Sequence, residues 1–541
     1  MSADAPEHPS TLDDVATLKA MVAELLAALK TSQQRVASLE HRLDQVLRRM
    51  YGQKSERLDP AQRLLFADEE PTPPSSTDEA AAPPESPEAE TRSASRKKGH
   101  GRAGLPKKLP RVRREHDLTE AERQCPGCQA LRTKIGEDVS EQLEYVPSSL
   151  FVIQHVRPKY ACPQCRDGVV AAAKPPQPIA KGLPGPGLLA HVAVSKHADH
   201  LPLNRQSRIL ARHGVTLSRS TLCDWMRAVG GTLEPLVALM RTRILRSALI
   251  QTDDTPVDVL ERGSKKNVRL GRLWVYRGDE GEPYTVFDFT PDRSRDGPRN
   301  WLGDYRGWLQ ADAYSGYDEL FRTRSDLIEV GCWAHARRYF FEARETDVRA
   351  VEALAWIQRL YAVEREADEH DERFHRQRVT DPASNLQQVR DAAHRQSLRR
   401  EKSKPLLTSL FERLDVWHAD VLPKSPFGQA VQYALNQSAA LRRYVEDGRL
   451  PIDNNASERD IRSIALGRRN WLFCGSTRGG RTAATITSLI ATCQRHRVEP
   501  FTWLRETLAA LPQLARDEHG RDEHGRIPTE HLARLLPNAL R

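Results

Sequence analysis

Two aspartates stand where an acid has no structural use. Asp253 lies inside the strand-patterned run Ser247–Leu260 (SALIQTDDTPVDVL), and Asp312 closes a second such run, Gly307–Tyr314 (GWLQADAY). A buried carboxylate is costly to desolvate unless something neutralises it. A divalent cation would do so, and oxygen ligands favour Mg2+ or Mn2+. Two such ions held by carboxylates suit displacement at a phosphodiester, where one oxygen attacks and another leaves. Sulfur provides a second kind of chemistry. Cys125-Pro-Gly-Cys128 and Cys162-Pro-Gln-Cys165 each have the two-residue spacer that lets both thiolates face one ion. Together they suit a closed, tetrahedral, structural Zn2+ site, the alternative being free thiols or a redox pair. Cys223, Cys332, Cys474 and Cys493 read as small buried apolar groups.

The elements that must position the acids follow in a recognisable order. Ser247–Leu260, Val268–Tyr276 and Tyr284–Phe289 read as three meandering strands; a helical patch at Arg295–Leu302 leads to the strand ending at Asp312, and Ile328–Cys332 reads as a fifth. That is the order of a ribonuclease-H-like core, in which strand four lies beside strand one and brings Asp253 next to Asp312. A third carboxylate is then expected on a later helix. From Cys332 to Phe427 there is no glycine and the periodicity is helical, which predicts an all-helical insertion. Beyond it, Asp453-Asn454-Asn455-Ala456-Ser457-Glu458 predicts a helix capped by Asn or Asp, with Glu458, Ile461, Arg462 and Ala465 on neighbouring turns.

The N-terminal part reads as binding machinery. Val15, Val22, Leu29, Val36, Leu43 and Met50 repeat every seven residues, with Leu18, Leu25, Leu39 and Val46 at the second seam position. This pattern predicts a coiled coil and self-association, against a helix packed on its own domain. Ala67–Thr91 is acidic and rich in Pro, Ser and Ala, a linker composition. Arg92–Arg114 carries no acid; Lys97, Lys98, Lys107, Lys108, Arg111 and Arg113 would contact phosphates, or form a solvated tail. Arg205–Arg212, the turn His213-Gly214-Val215 and a Ser218-capped helix Arg219–Val229 resemble a helix-turn-helix reader, with Arg205 and Arg219 toward DNA, or else an ordinary helical pair.

The resulting multidomain α+β/α/β chain divides into a coiled coil (11–58), acidic linker (59–91), basic arm (92–118), zinc-binding knuckle domain (119–180) and helical DNA-binding region (181–245). The ribonuclease-H-like catalytic core follows in two parts (246–340 and 448–495) around the insertion (341–447), with a C-terminal element at 496–541. In 541 residues, 82 Lys+Arg outnumber 73 Asp+Glu, for a net charge of +9, a balance that admits a polyanionic partner. No apolar run of membrane-spanning length and no secretory signal is encoded, so a cytoplasmic protein is expected.

Taken in order, these motifs resemble the transposases of insertion sequence 66, of the DDE and transposase C type. The resemblance is carried by Tyr51-Gly52-Gln53-Lys54-Ser55-Glu56-Arg57-Leu58, Leu105-Pro106-Lys107-Lys108-Leu109-Pro110, the cysteine knuckles, and His197-Ala198-Asp199-His200-Leu201-Pro202-Leu203. It continues through Asp253-Asp254-Thr255-Pro256-Val257, Asp312-Ala313-Tyr314-Ser315-Gly316-Tyr317 and Gly331-Cys332-Trp333-Ala334-His335-Ala336-Arg337-Arg338. The last matches are Asn454–Arg462 and Gly467–Ser476. It implies a catalytic, metal-holding triad of Asp253, Asp312 and Glu458, with Asp254 standing where the family has Glu. Successive strand residues point to opposite faces, so only one of the adjacent aspartates can be the inner ligand, and Asp253 is preferred. His335, in a Cys-x-x-His signature seen after the second Asp of other transposases with helical insertions, would support the site or be an interior histidine. Arg462 would also support it, and Arg459, Arg468 and Arg469 would bind DNA phosphates or balance nearby acids.

The implied activity is recognition of transposon ends, Mg2+-dependent strand cleavage and strand transfer into target DNA. It would be carried out by a bacterial, nucleoid-associated homo-oligomer with accessory proteins of the same element. A DNA-binding regulator and a structure-selective nuclease are the competing readings. The C-terminal end departs from the family: Arg516–Gly525 is a tandem RDEHG repeat, expected as a surface loop.

Overall fold

In a computed structural model of the chain, the described residues are 182–378 (except 262 and 264–266), 391–516 and 527–539, a helical stretch within 22–36, and short pieces between 150 and 179. Cys125, Cys128, Cys162 and Cys165 lie outside the described residues, as do Lys97, Lys98, Lys107, Lys108, Arg111 and Arg113. The acidic linker, much of the heptad run and residues 517–525 of the repeat also lie outside them. Two short antiparallel strands, β1 (Lys159–Ala161) and β2 (Val169–Ala171), stand either side of the sequence containing Cys162 and Cys165.

Three helices precede the main sheet. Pro186 starts α1 (Pro186–His197), a position where its missing N–H costs nothing. α2 (Leu203–Arg212) ends in a turn through Gly214, whose φ of +81° suits glycine. The Ser218 hydroxyl then accepts the Thr221 N–H at 3.1 Å and caps α3 (Arg219–Ile244). The expected helix-turn-helix pair is therefore present as secondary structure, but its second helix does not stop at Val229. Leu222, Met226, Val229, Leu233, Leu236, Met240 and Ile244 recur at helical spacing and are buried in the cluster that also holds Ile250, Trp274 and Tyr276 of the sheet. Hydrophobic burial thus carries α3 on as a layer of the core.

The sheet is built from β3 (Leu249–Leu260), β4 (Val268–Gly278) and β5 (Thr285–Thr290), then α4 (Asp296–Leu302), β6 (Gly307–Gln310), α5 (Asp318–Thr323) and β7 (Leu327–Val330). Its order is β5-β4-β3-β6-β7, with β3, β4 and β5 antiparallel and β6 and β7 parallel to β3. Alternation sorts the side chains. Ile250, Trp274, Tyr276 and Val286 face α3 and the C-terminal helices, whereas Val257, Val259, Leu273, Val275 and Phe287 form a separate cluster on the other side.

After β7 come α6 (Trp333–Ala343), α7 (Val348–Arg378), α8 (Ala392–Leu398), α9 (Lys404–Asp420), α10 (Pro426–Asn436) and α11 (Ser438–Arg442), packed around Trp333, Phe340, Ile357, Phe411, Trp417 and Phe427. Among the described residues this stretch holds no strand. Arg395 and Arg399, almost wholly buried, both reach Glu364, at 2.9 and 2.7 Å. α12 (Asn455–Trp471) returns to the sheet, laying Ile461 and Ile464 against Val257, Val259, Leu273 and Val275. α13 (Thr477–Arg495) covers the β5 edge, where Ser488 Oγ accepts the Phe287 N–H at 2.7 Å. α14 (Pro500–Arg516) packs on α1, and α15 (Thr529–Arg534) lies against α3. No helix among the described residues is long and apolar enough to cross a membrane.

Candidate functional site

The parallel register pairs Gln251 of β3 with Gln310 of β6. Asp253 and Asp312 each stand two residues further along their chains. Gln251 Nε2 donates to Gln310 Oε1 at 2.8 Å, so the two glutamines share a face, and a repeat of two carries that face on to Asp253. Gln310 Nε2 donates to the carbonyls of Gly331 (3.1 Å) and Pro451 (2.9 Å), tying β6 to the residues leading into α6 and α12. β6 ends at Gln310, so Asp312 sits just beyond the strand rather than closing it. Ala313 turns through a φ of +62°, a conformation that L-residues disfavour. What holds the turn is an aromatic group: Trp274 against Tyr314 and Tyr317, with the Tyr317 hydroxyl 3.1 Å from Thr252 Oγ1. A Cβ on Gly316 would lie 2.1 Å from the Tyr314 ring, so the close return needs glycine there.

Glu458 reaches the site from the first turn of α12. Of the Asn or Asp expected to cap this helix, it is Asp453 whose side chain accepts a first-turn N–H, that of Asn455 at 3.1 Å; Asn454 occupies the N-cap position but its side chain makes no capping bond. Its Nδ2 donates instead to the Thr252 carbonyl at 2.8 Å, and its backbone N–H to Cys332 Sγ at 3.2 Å. Fully buried, Asn454 thus fastens the start of α12 to β3 beside Asp253 and to the start of α6. Asp453 accepts from Tyr361 of α7 at 2.9 Å, anchoring the same turn to the insertion.

The neighbouring aspartates have opposite surroundings. Asp254, 2% exposed, is paired with Arg272 at 2.9 Å and Arg293 at 2.8 Å. Asp253 has no ion-pair partner among the described residues; the Asp254 N–H donates to it at 2.7 Å. Burial, then the charges of Asp312 and Glu458, push the Asp253 carboxyl well above the usual range. Glu458 is also raised, by burial first, with Arg338 opposing. Its Oε2 lies 3.8 Å from Arg338 and its Oε1 3.7 Å from His335 Nδ1. Burial and Arg338 push His335 down to about 4, so the ring is neutral at pH 7 and this contact is no ion pair.

The other singled-out residues are dispersed. Arg205 and Arg219 are exposed on α2 and α3, and Arg459, Arg462 and Arg469 are exposed on α12. Arg468 is committed to the fold, donating to Thr255 Oγ1 at 2.9 Å and the Pro256 carbonyl at 2.8 Å. Cys332, Cys474 and Cys493 are buried, but Cys223 is exposed, because it falls on the outer face of α3. The glutamines, Tyr361, the Asp254 arginines and the bond of Asn454 to β3 escaped the sequence reading. One signal was available: Gln251-Thr-Asp253 and Gln310-Ala-Asp312 repeat the same spacing.

A mixed sheet carrying Asp253 on β3 and Asp312 just past β6, with Glu458 brought back by α12, defines an α/β core whose acids act on one another's charge, and sequence comparison gives the particular family. Residues 181–482 match the Transposase IS66 family, residues 122–166 the zinc-finger binding domain of transposase IS66, and residues 38–114 the description "Transposase C of IS166 homeodomain". Similar proteins from Sinorhizobium fredii (strain NBRC 101917 / NGR234) include uncharacterized protein y4qI, 35% identical over 94% of this chain and 92% of its own length. Uncharacterized protein y4hP is 31% identical over 88% of this chain and 86% of its own length. The chain belongs to the Transposase IS66 family. It is thus a DNA-binding transposase with a zinc-finger domain, which supports a structural zinc ion.

Proposed function

We propose that the chain cuts DNA at transposon ends and joins them to target DNA, using Asp253, Asp312 and Glu458 on a ribonuclease-H-like core. The observation that carries this reading is the state of Asp253: a buried acid in the field of two others, beside a neighbour that takes both nearby arginines. The strand order and the helix that returns with Glu458 support the fold. The donor set fits hard divalent cations, because three carboxylates accumulate negative charge that no described side chain neutralises at Asp253. Asp253, Asp312 and Glu458 would hold Mg2+, which would supply charge neutralisation and Lewis acidity at the phosphate.

The chain's own residues would do the positioning. Gln251, Gln310 and Asn454 keep the strand ends and α12 in register, and the Trp274–Tyr314–Tyr317 group keeps the Asp312 turn from relaxing. Water attacks the phosphodiester at the transposon end, which frees a 3′-hydroxyl; that hydroxyl then attacks target DNA, forming a new phosphodiester and releasing a target 3′-oxygen. Exposed Arg205, Arg219, Arg459, Arg462 and Arg469, with the basic arm, would bind phosphates. Cys125, Cys128, Cys162 and Cys165 would hold the zinc. The heptad helix would join copies of the chain: Val22, Leu25, Leu29 and Val36 are all more than half exposed on it.

An end-cleavage and joining assay with and without Mg2+ tests the reaction. Asp253→Asn, Asp312→Asn and Glu458→Gln should each lower cleavage by about 10²–10³-fold or more while end binding persists. Undiminished cleavage in all three variants would overturn the triad. Absence of cutting by the wild type would favour a regulator, and cutting without joining a nuclease.

A further inference from the structure

Beside the three carboxylates lies a second donor set of different character. Cys332 Sγ, a His335 ring nitrogen and a Glu458 oxygen all lie within 4.8 Å of one another, the one such group of His, Cys, Asp and Glu among the described residues. His335 Nδ1 and Glu458 Oε1 are buried and neither has a hydrogen-bond partner. They face each other at 3.7 Å, too far for a hydrogen bond. That separation is near the ~3.4 Å between two ligands on one tetrahedral ion with bonds of about 2.0–2.1 Å. Cys332 sits at the N-cap of α6, and its sulfur accepts the Asn454 N–H at 3.2 Å. His335, three residues on, returns over the same turn.

We propose that Cys332, His335 and Glu458 form a transition-metal site, distinct from the zinc finger, that takes Zn2+ or another divalent ion of intermediate softness. A sulfur, nitrogen and oxygen donor set suits Zn2+ and does not suit Mg2+. Burial keeps the Cys332 thiol protonated in the metal-free chain, so metal binding releases its proton to solvent as the sulfur–metal bond forms. Three protein ligands leave a fourth position open. The ion fastens the first turn of α12 to the first turn of α6 through Glu458 Oε1 and leaves Oε2 to other partners. The site stands on the geometry of these side chains and does not depend on the strand-transfer reading.

Zinc content of the full-length chain, measured by elemental mass spectrometry after zinc loading and gel filtration, tests the site. About two ions per chain are expected in the wild type, one of them in the zinc finger, and about one in Cys332→Ser and in His335→Gln. With Co2+ in place of Zn2+, the wild-type spectrum should exceed that of Cys332→Ser by a thiolate-to-cobalt charge-transfer band. His335→Gln, at a half-buried position, gives the decisive count if Cys332→Ser does not fold, as judged by circular dichroism. Equal zinc content in the wild type and His335→Gln overturns the proposal. Asp253→Asn separates it from the reaction: that variant should be dead in cleavage yet keep the second ion, whereas an active wild type holding one ion would leave the reaction standing and remove this site.

Discussion

Asp253 and Asp254 differ by one position and by the sign of their effect on stability. Asp254 neutralises Arg272 and Arg293, so Asp254→Asn strands two guanidinium groups and should cost about 1–3 kcal/mol in urea denaturation. Asp253 is held above the ordinary carboxylate range by burial first and by Asp312 next. A folded-state pKa above the unfolded one gives stability that is fully present below the unfolded value and lost as pH rises through the folded value. In Mg2+-free buffer, Asp253→Asn should therefore be more stable than the wild type at pH 7 in urea denaturation. The difference should vanish at acid pH, and added Mg2+ should stabilise the wild type more than the variant. A wild type that matches Asp253→Asn at every pH would contradict the strained-acid account.

At the scale of elements, α12 is placed by a few polar contacts more than by its apolar stripe. Ile461 and Ile464 fix which face it turns to the sheet, but Asn454 fixes how far along the strands it sits, through Thr252 and Cys332. Asn454→Ala leaves the Thr252 carbonyl without its buried donor and should cost about 1–3 kcal/mol. It should also lower strand cleavage, whereas an apolar trim such as Ile464→Val should cost about 0.5–1.5 kcal/mol and leave cleavage near wild type. The insertion has its own polar anchor. Replacing Arg399 by Met removes both of its bonds to Glu364, at 2.8 and 2.7 Å, and leaves that buried carboxylate facing Arg395 alone. A loss of about 3–5 kcal/mol is expected, seen by hydrogen exchange as early opening of α7 and α8.

For the whole molecule, the helix within 22–36 presents Leu25 and Leu29 to solvent, 66% and 55% exposed. Leu25→Asp with Leu29→Asp should shift the mass seen by light scattering toward one chain and leave the catalytic unit folded; an unchanged mass would exclude this helix as the joining surface. Strand order, the helical character of the insertion and the candidate carboxylates were all legible in the chain, because each depends on local periodicity or on an acid set in an apolar run. The end of α3 was not legible: Gly230, Gly231 and Pro235 signal a break after Val229, and only burial of Leu233, Leu236, Met240 and Ile244 against the sheet carries the helix through them. Nor was the duty of Arg468, exposed by type but bound to Thr255 and Pro256. The repeat Gln-x-Asp at 251–253 and 310–312 was in plain view, yet its meaning requires the parallel pairing of β3 with β6. The sequence by itself determined which residues carry charge, sulfur and periodicity, and through the family its order of motifs. Tertiary structure alone decided which acid is unneutralised and which polar groups meet across more than a hundred residues, because burial and partner choice are properties of packed neighbours.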